Sequence, residues 1–127
     1  MERKKQEIHT LIQNRKFEEA LAMLVELFEK QDVDAEVHYL LGTCFYAKED
    51  ISNAVRFLKK ASDLEPDSIE YLLSLGMAYE AFSKYEKAFD VYVKMIKLNG
   101  EVSYAVERMA HIFKSVCNES QADSCQV

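Results

Sequence analysis

Proline and glycine are scarce in this sequence of 127 residues, which contains one proline and three glycines. Turns in all-β domains draw heavily on these two residues, so an all-β fold is disfavoured and long helices are favoured. No apolar stretch reaches the roughly 18 residues that a transmembrane helix needs, and we expect no membrane partner. The basic residues after Met1 are followed by no apolar stretch of the kind that a secretory signal contains, so we expect a cytoplasmic protein.

Cysteine and positive charge are also in short supply. The three cysteines have no paired spacing, which argues against a disulfide framework and for a reducing compartment. Cys44 falls in the middle of a predicted helix among small residues, and we interpret it as a buried thiol. Lysine and arginine number 16 against 22 aspartates and glutamates, which gives a net charge of −6. This balance disfavours nucleic acid as a partner, because a phosphate backbone requires a basic face.

What the sequence does contain is an internal repeat of 34 residues, in which residues 68–101 copy residues 34–67. Gly42 corresponds to Gly76, and Ala54 corresponds to Ala88. Apolar residues at helical spacing predict seven helices, at about 2–13, 17–30, 35–47, 51–63, 68–82, 84–98 and 102–117. The links between them are short, so consecutive helices should lie antiparallel and form three helical hairpins with one helix left over.

Some helix ends can be predicted from local residues. Asp67 with Glu70, and Ser83 with Glu86, have the spacing of a capping box and predict the starts of the fifth and sixth helices. The dipeptide Asn-Gly at residues 99–100 predicts the end of the sixth helix, because these residues favour the left-handed conformation that stops a helix.

The two central glycines predict a close crossing of helices. Glycine inside a helix costs about 1 kcal/mol relative to alanine, and both Gly42 and Gly76 carry this cost. We infer that a second helix passes too close for a side chain, with Ala54 and Ala88 facing the glycines. The large residues that fill the space on either side are Phe45, Leu58, Tyr79 and Tyr92.

These residues resemble the signature of the tetratricopeptide repeat. In the second hairpin the signature residues are His38, Leu41, Gly42, Phe45, Ala54, Leu58, Ala61 and Pro66, and in the third they are Leu72, Leu75, Gly76, Tyr79, Ala88 and Tyr92. The first hairpin is a degenerate version, with Glu7-Ile8 where Leu-Gly belongs. The last helix continues the register with Val106, Met109, Ala110 and Phe113.

This resemblance implies an all-α fold, a right-handed α-solenoid of three helix-turn-helix hairpins plus a C-terminal capping helix. The repeat domain would cover residues 1–117, with repeats at about 1–34, 35–68 and 69–101 and the capping helix at 102–117. Residues 118–127 are polar and small, and we expect them to form a flexible tail.

The resemblance also implies where a partner would bind. The first helix of each hairpin lines a concave surface in this family, so we expect an adaptor or scaffold that binds a protein or peptide segment there. The candidate partner-binding residues are Lys5, His9, Tyr39, Thr43, Tyr46, Leu73, Met77, Arg108 and His111. Enrichment of aromatic residues and methionine at interface centres favours Tyr39, Tyr46 and Met77 as contact residues. Tyr39 and Leu73 have the alternative interpretation of core residues between stacked helices.

One subclass of the family grips the C-terminal carboxylate of chaperone tails with a lysine, two asparagines and two further basic residues. The positions that correspond to this clamp are Lys5, His9, Leu40, Glu70 and Ser74 or, one hairpin later, Tyr39, Thr43, Ser74, Tyr104 and Arg108. Neither set makes a clamp, and Glu70 would repel a carboxylate. We therefore predict that this chain does not bind chaperone tails in that way.

We expect no catalytic residue, no cofactor and no metal site. His9 and His111 face the same side but lie three hairpins apart, about 25 Å or more, whereas metal ligands lie at about 2 Å from the ion. His38 takes a large apolar position and is interpreted as a core residue, and no phosphate loop or nucleophile motif is present.

Two alternatives to groove binding remain open. The chain could form a homo-oligomer through Ile112 and Val116 of the last helix, if these residues are uncovered, because exposed apolar patches mark interfaces. A chaperone-like role in binding cargo belongs to the same fold, although no particular residue indicates it.

Overall fold

A computed structural model describes residues 2–30, 34–99 and 103–120. Within these ranges the chain forms seven α-helices and no β-strand. In chain order the helices are α1 (Glu2–Gln13), α2 (Phe17–Glu29), α3 (Ala35–Ala47), α4 (Ile51–Leu64), α5 (Ile69–Ala81), α6 (Tyr85–Asn99) and α7 (Ser103–Ser120). None of these helices combines the length and the apolarity that crossing a bilayer would require.

The predicted helix bounds differ from the observed ones by one residue at most, except at the end of α7. This helix continues to Ser120, three residues past the expected end at residue 117. The glycine of the predicted Asn-Gly stop and the tail from residue 121 onwards lie outside the described residues.

The three hairpin turns share one backbone geometry although their sequences differ. Each contains a non-glycine residue with a positive φ: Arg15 at 63°, Glu49 at 65° and Ser83 at 59°. The amide of this residue donates to the carbonyl three residues earlier, and the next amide donates to the carbonyl five residues earlier. This bonding pattern satisfies the last carbonyls of the first helix in each hairpin. The repeat therefore extends to the backbone of the turns, and it includes the first hairpin, whose sequence signature is degenerate.

The predicted caps of α5 and α6 were wrong. Ser68, not Asp67, caps α5: its hydroxyl accepts a hydrogen bond from the amide of Tyr71 at 3.2 Å, and its backbone is extended, as an N-cap requires. Ser83 cannot cap α6, because it is the left-handed residue of the turn and Lys84 stands between it and the helix.

Consecutive helices pack against each other, and α3 also contacts α5. Buried apolar side chains of α1, α2 and α3 form one core cluster, and those of α4 to α7 form a second. Tyr39 and Phe45 contact both clusters, so the core runs along the stack of hairpins. Cys44 and His38 are buried, as predicted, and burial raises the pKa of the Cys44 thiol to about 11.

Both central glycines lie at close helix crossings, as predicted, but the residues that face them differ from the prediction. A β-carbon on Gly42 would lie 2.6 Å from Cγ of Leu58, and one on Gly76 would lie 2.8 Å from Cε1 of Tyr92. Large side chains, rather than the predicted alanines, therefore lie directly over each glycine. In the first hairpin Ile8 takes the equivalent position and is fully buried.

The last helix buries a different face from the one that its apolar spacing predicted. Ile112 is only 3% exposed and Val116 packs against the core, so the expectation that these two residues are uncovered was wrong. Val106 and Phe113 are instead 48% and 53% exposed. The reason is that α7 packs on α6, the helix before it. In α1, α3 and α5, the face that corresponds to Val106 and Phe113 is covered by the second helix of the same hairpin, and the described residues include no such helix after α7.

Candidate functional site

Two adjoining cavities lie on one side of the stack, the first between α3 and α5 and the second between α5 and α7. The smaller has a volume of about 110 Å³ and is lined by Tyr39, Thr43, Tyr46, Leu58, Ser74 and Met77. The larger has a volume of about 330 Å³ and is lined by Tyr46, Met77, Glu80, Ala81, Tyr85, Tyr104, Arg108 and His111. Tyr46 and Met77 line both cavities, so the two form one cleft, which we call the inner groove.

Six of the nine predicted partner-binding residues line this groove. They are Tyr39, Thr43, Tyr46, Met77, Arg108 and His111. The helical register explains the arrangement, because Thr43, Met77 and His111 recur at intervals of 34 residues on α3, α5 and α7. Repeat spacing therefore aligns residues from three different helices along one surface.

Tyr39 lies at one end of the groove and stacks on a second tyrosine. Its ring stacks on the ring of Tyr71, with the centroids 4.7 Å apart. The hydroxyl of Thr43 donates to the backbone carbonyl of Tyr39 at 2.9 Å. Burial is the main cause that raises the pKa of Tyr39, so its side chain stays neutral at physiological pH and contributes no charge to the groove.

Lys5 and His9 lie elsewhere, at the junction between α1 and the start of α3. Nζ of Lys5 is 2.5 Å from Oδ2 of Asp34 and 3.3 Å from Oε1 of Glu36. Nε2 of His9 is 3.2 Å from Oε2 of Glu36. The hydrogen bond to Asp34 is the main cause that raises the pKa of Lys5. These residues fasten the first hairpin to the second, and neither lines the two cavities.

Arg108 lines the groove but is already paired within the chain. Its Nε donates to Oε2 of Glu80 at 3.1 Å, and its Nη2 donates to the other oxygen of the same carboxylate. The hydroxyl of Tyr92 also donates to Glu80, at 2.5 Å. The Glu80 side chain is 9% exposed and that of Arg108 is 32% exposed. The hydrogen bond to Glu80 is the main cause that raises the pKa of Arg108, so Arg108 stays protonated. Its positive charge is balanced by the Glu80 carboxylate within the chain.

Leu73, the remaining predicted residue, is half-buried and packs against the core of α4 to α7 without lining either cavity. Further residues line the groove, among them Ser74, Tyr85 and Tyr104. From the sequence, Ser74 and Tyr104 were considered only as positions of the carboxylate clamp, and Tyr85 was not considered for the groove. Ser74 and Tyr104 lie on first helices, where the repeat register could have identified them. Tyr85 is the first residue of α6, the second helix of its hairpin. The rule that first helices line the concave surface therefore could not predict it.

The described ranges contain no group of three or more His, Cys, Asp and Glu side chains that could hold a metal ion. The groove is instead formed by aromatic rings, one thioether and a few polar groups, which suits non-covalent binding.

Comparison with known proteins agrees with this architecture. Residues 13–95, more than half of the chain, match the family model described as anaphase-promoting complex, cyclosome, subunit 3. The chain belongs to this family of tetratricopeptide-repeat proteins. The predicted all-α solenoid of tetratricopeptide hairpins is confirmed.

The tetratricopeptide-repeat chain is also similar to parts of longer curated proteins. It is 36% identical over 53 residues to BBSome complex member BBS4 of Bos taurus. This aligned segment covers 42% of this chain and 10% of that protein. It is 27% identical over 93 residues to the tetratricopeptide repeat-containing protein trd-1 of Caenorhabditis elegans, covering 73% of this chain and 12% of the relative. The matches therefore span only about a tenth of the length of these relatives.

A solved structure described as the first TPR of Spaghetti (RPAP3) bound to the HSP90 peptide SRMEEVD has the same fold. The TM-score is 0.81 at 15% sequence identity, and the alignment covers 90% of each chain. At this identity the similarity concerns the fold of the tetratricopeptide-repeat chain.

Proposed function

We propose that this chain is an interaction module that binds an extended or helical peptide segment of a partner protein in the inner groove. The observation that carries the proposal is the position of Tyr46 and Met77. Both side chains line both cavities, and each is 36% exposed although it is large and apolar. Aromatic residues and methionine at the centre of a concave surface are typical of interface anchors. The tyrosine buries a large area at a low cost in conformational entropy, and the methionine adapts its shape to the surface that it contacts.

The pairing of the basic residues supports an apolar rather than an ionic mode of binding. Lys5 is neutralised by Asp34 and Glu36, and Arg108 is neutralised by Glu80. A terminal carboxylate of a partner would have to displace these internal carboxylates and would gain little net Coulomb energy by doing so. The groove therefore differs in its expected ligand from the structurally similar domain whose description names a chaperone peptide.

The family supports an adaptor or scaffold role rather than an enzymatic one. The matched family model and BBS4 are both described by the multi-protein complexes to which they belong. We propose that the present chain likewise joins a partner to an assembly in the cytoplasm, and that it uses no cofactor.

The experiment is a selection from a random peptide display library against the wild-type chain, followed by affinity measurements with two variants. We expect the enriched peptides to be rich in apolar and aromatic residues and to bind without a free C-terminal carboxylate. The double variant Tyr46→Glu with Met77→Glu should bind them at least about 10-fold more weakly, because both anchors are lost and charge is buried in their place.

The matched control carries the same two added charges on exposed apolar residues of second helices, Val25→Glu with Leu64→Glu. We expect it to bind like the wild type, and circular dichroism should show that both double variants keep their helices. Equal binding by the Tyr46 and Met77 variant would refute the groove assignment. Enrichment only of peptides that need a free carboxylate would refute the apolar mode of binding.

A further inference from the structure

The outward face of α7, about a quarter turn around the helix from its contact with α6, is apolar and exposed. Val106, Ala110 and Phe113 lie on this face, and all three are exposed. Each of them stands 34 residues after a buried residue of α5. These counterparts are Leu72, Gly76 and Tyr79. α7 therefore exposes the surface that α5 buries inside its hairpin.

The complete hairpins show what covers this surface elsewhere in the chain. α6 covers α5 with Ala88 and Tyr92, and α4 covers α3 with Ala54 and Leu58. At most 1% of any of these four side chains is exposed. The covering helices thus share a pattern, an alanine followed four residues later by a large apolar residue, and the repeat register supplies a template for what fits against α7.

A depression beside the outward face provides space for such a helix. A cavity of about 670 Å³ lies between the start of α6 and the end of α7. Phe89, Ile112 and Phe113 are among its apolar walls, and Lys84 and Asp90 lie at its edge. An apolar cleft with charged residues at its edge is the kind of surface into which an amphipathic helix docks.

We propose that the outward face of α7 binds an amphipathic helix of a partner protein, in the position that α6 occupies against α5. The partner helix would carry an alanine followed four residues later by an apolar residue. A basic residue directly before the alanine would lie over the ring of Phe113, because Lys87 places its ammonium 6.0 Å from the ring centre of Tyr79 at the equivalent place.

A second copy of this chain is a poor candidate for the occupant. The helices that carry the covering pattern are α2, α4 and α6, and each already buries it within its own hairpin. A second copy could supply one of these helices only by opening its own core. A helix from a separate partner carries no such cost.

Ala110 makes the proposed site selective for the size of the residue that faces it. A β-carbon on Gly76, the counterpart of Ala110, would lie 2.8 Å from the ring of Tyr92. A tyrosine in the equivalent position of the partner helix would therefore collide with the methyl group of Ala110. A smaller apolar residue such as valine fits, and removal of the methyl group should restore space for tyrosine.

The probe for the test is a capped synthetic peptide with the sequence of residues 84–98, which carries Lys87, Ala88 and Tyr92, together with the same peptide bearing Tyr92→Val. Each is titrated into the isotopically labelled full chain, and amide chemical shifts report the binding site and the affinity. We expect shifts on the outward face of α7, with the valine peptide binding more tightly than the tyrosine peptide. The variant Ala110→Gly should bind the tyrosine peptide several-fold more tightly, and Phe113→Glu should weaken binding of both peptides at least about 10-fold.

Four outcomes would overturn the proposal. One is the lack of chemical-shift changes on α7 at millimolar peptide. Another is peptide binding that Phe113→Glu leaves unchanged, because the peptide would then be taking the place of α6 against α5. A third is an affinity for the tyrosine peptide that does not respond to Ala110→Gly. The last is a dimer in sedimentation that Phe113→Glu dissociates, which would make a second copy the occupant. Because none of these measurements involves Tyr46 or Met77, they are independent of the inner groove.

Discussion

Replacing Arg108 with methionine is expected to lower the free energy of unfolding by about 2–3 kcal/mol. The substitution leaves the Glu80 carboxylate, which is 9% exposed, with only the hydroxyl of Tyr92 as a partner. Removing one member of a fully buried ion pair costs about 3–5 kcal/mol, and the expected value is lower because water reaches about a third of the Arg108 side chain. Urea unfolding followed by circular dichroism measures the change.

A second substitution separates the cost of an unpaired charge from the loss of packing. Glu80→Gln in the Arg108→Met background removes the unpaired carboxylate and should restore most of the lost stability. The control is Lys59→Met, which breaks the exposed pair between Lys59 and Asp63 and should change stability by less than about 0.5 kcal/mol. If Arg108→Met costs no more than this control, the pair between α5 and α7 does not hold the last helix in place.

Replacing Tyr92 with alanine is expected to lower the free energy of unfolding by about 3–5 kcal/mol, the usual cost of removing a buried aromatic side chain. Among the described residues, Tyr92 has the largest fully buried side chain, and its hydroxyl connects α6 with Glu80 of α5. Tyr92→Phe keeps the ring but loses the hydrogen bond to a carboxylate, so it should cost about 1.5–3 kcal/mol. Thermal and urea unfolding of both variants would give the two values.

The crossing at Gly76 predicts a change of sign in combination with this variant. In the wild type, Gly76→Ala should destabilise the chain by about 1–2 kcal/mol, since the new methyl group collides with the ring of Tyr92 and this outweighs the gain of about 1 kcal/mol in helix propensity. In the Tyr92→Ala background the ring is absent, and the same change should stabilise the chain. If Gly76→Ala changed the free energy of unfolding by the same amount and in the same direction in both backgrounds, the ring of Tyr92 would not be the reason for a glycine at this position.

Repetition in the sequence was sufficient to predict the helices and their pairing. The 34-residue spacing of Gly42 and Gly76 predicted the close crossings, and the same spacing aligned Thr43, Met77 and His111 with one another. The solenoid and its binding surface came from the resemblance to the tetratricopeptide repeat. The helices, their pairing and the register depend on periodicity, which a single sequence contains in full.

Local details of the helix ends were harder to predict, because several residues compete for the same role. Asp67 and Ser68 are adjacent and both are good caps, and the backbone decides in favour of Ser68. Ser83 has the right spacing for a capping box, but the hairpin turn requires a left-handed residue at that place. The equivalent residues, Arg15 and Glu49, give no sequence signal for this conformation, since neither is glycine or asparagine.

The charges of the site and the orientation of α7 could not be predicted, because both depend on how helices far apart in sequence are rotated. Arg108 meets Glu80, and Lys5 meets Asp34, only once the hairpins have stacked. From the sequence, Ile112 and Val116 were the residues expected to be uncovered, because the apolar stripe of α7 that continues the register of α3 and α5 runs through Phe113. The helix that would bury it is not among the described residues, and α7 instead packs through Ile112.

We propose that the inner groove binds its partner by burying apolar surface rather than through ionic contacts. The most direct test is the affinity of the wild-type chain for a peptide selected on the groove, measured over a range of salt concentrations. Between about 50 and 500 mM NaCl we predict a change in Kd of less than about threefold, since salt screens exposed charges but not apolar contacts. A Kd that rises about tenfold or more over this range would contradict the account.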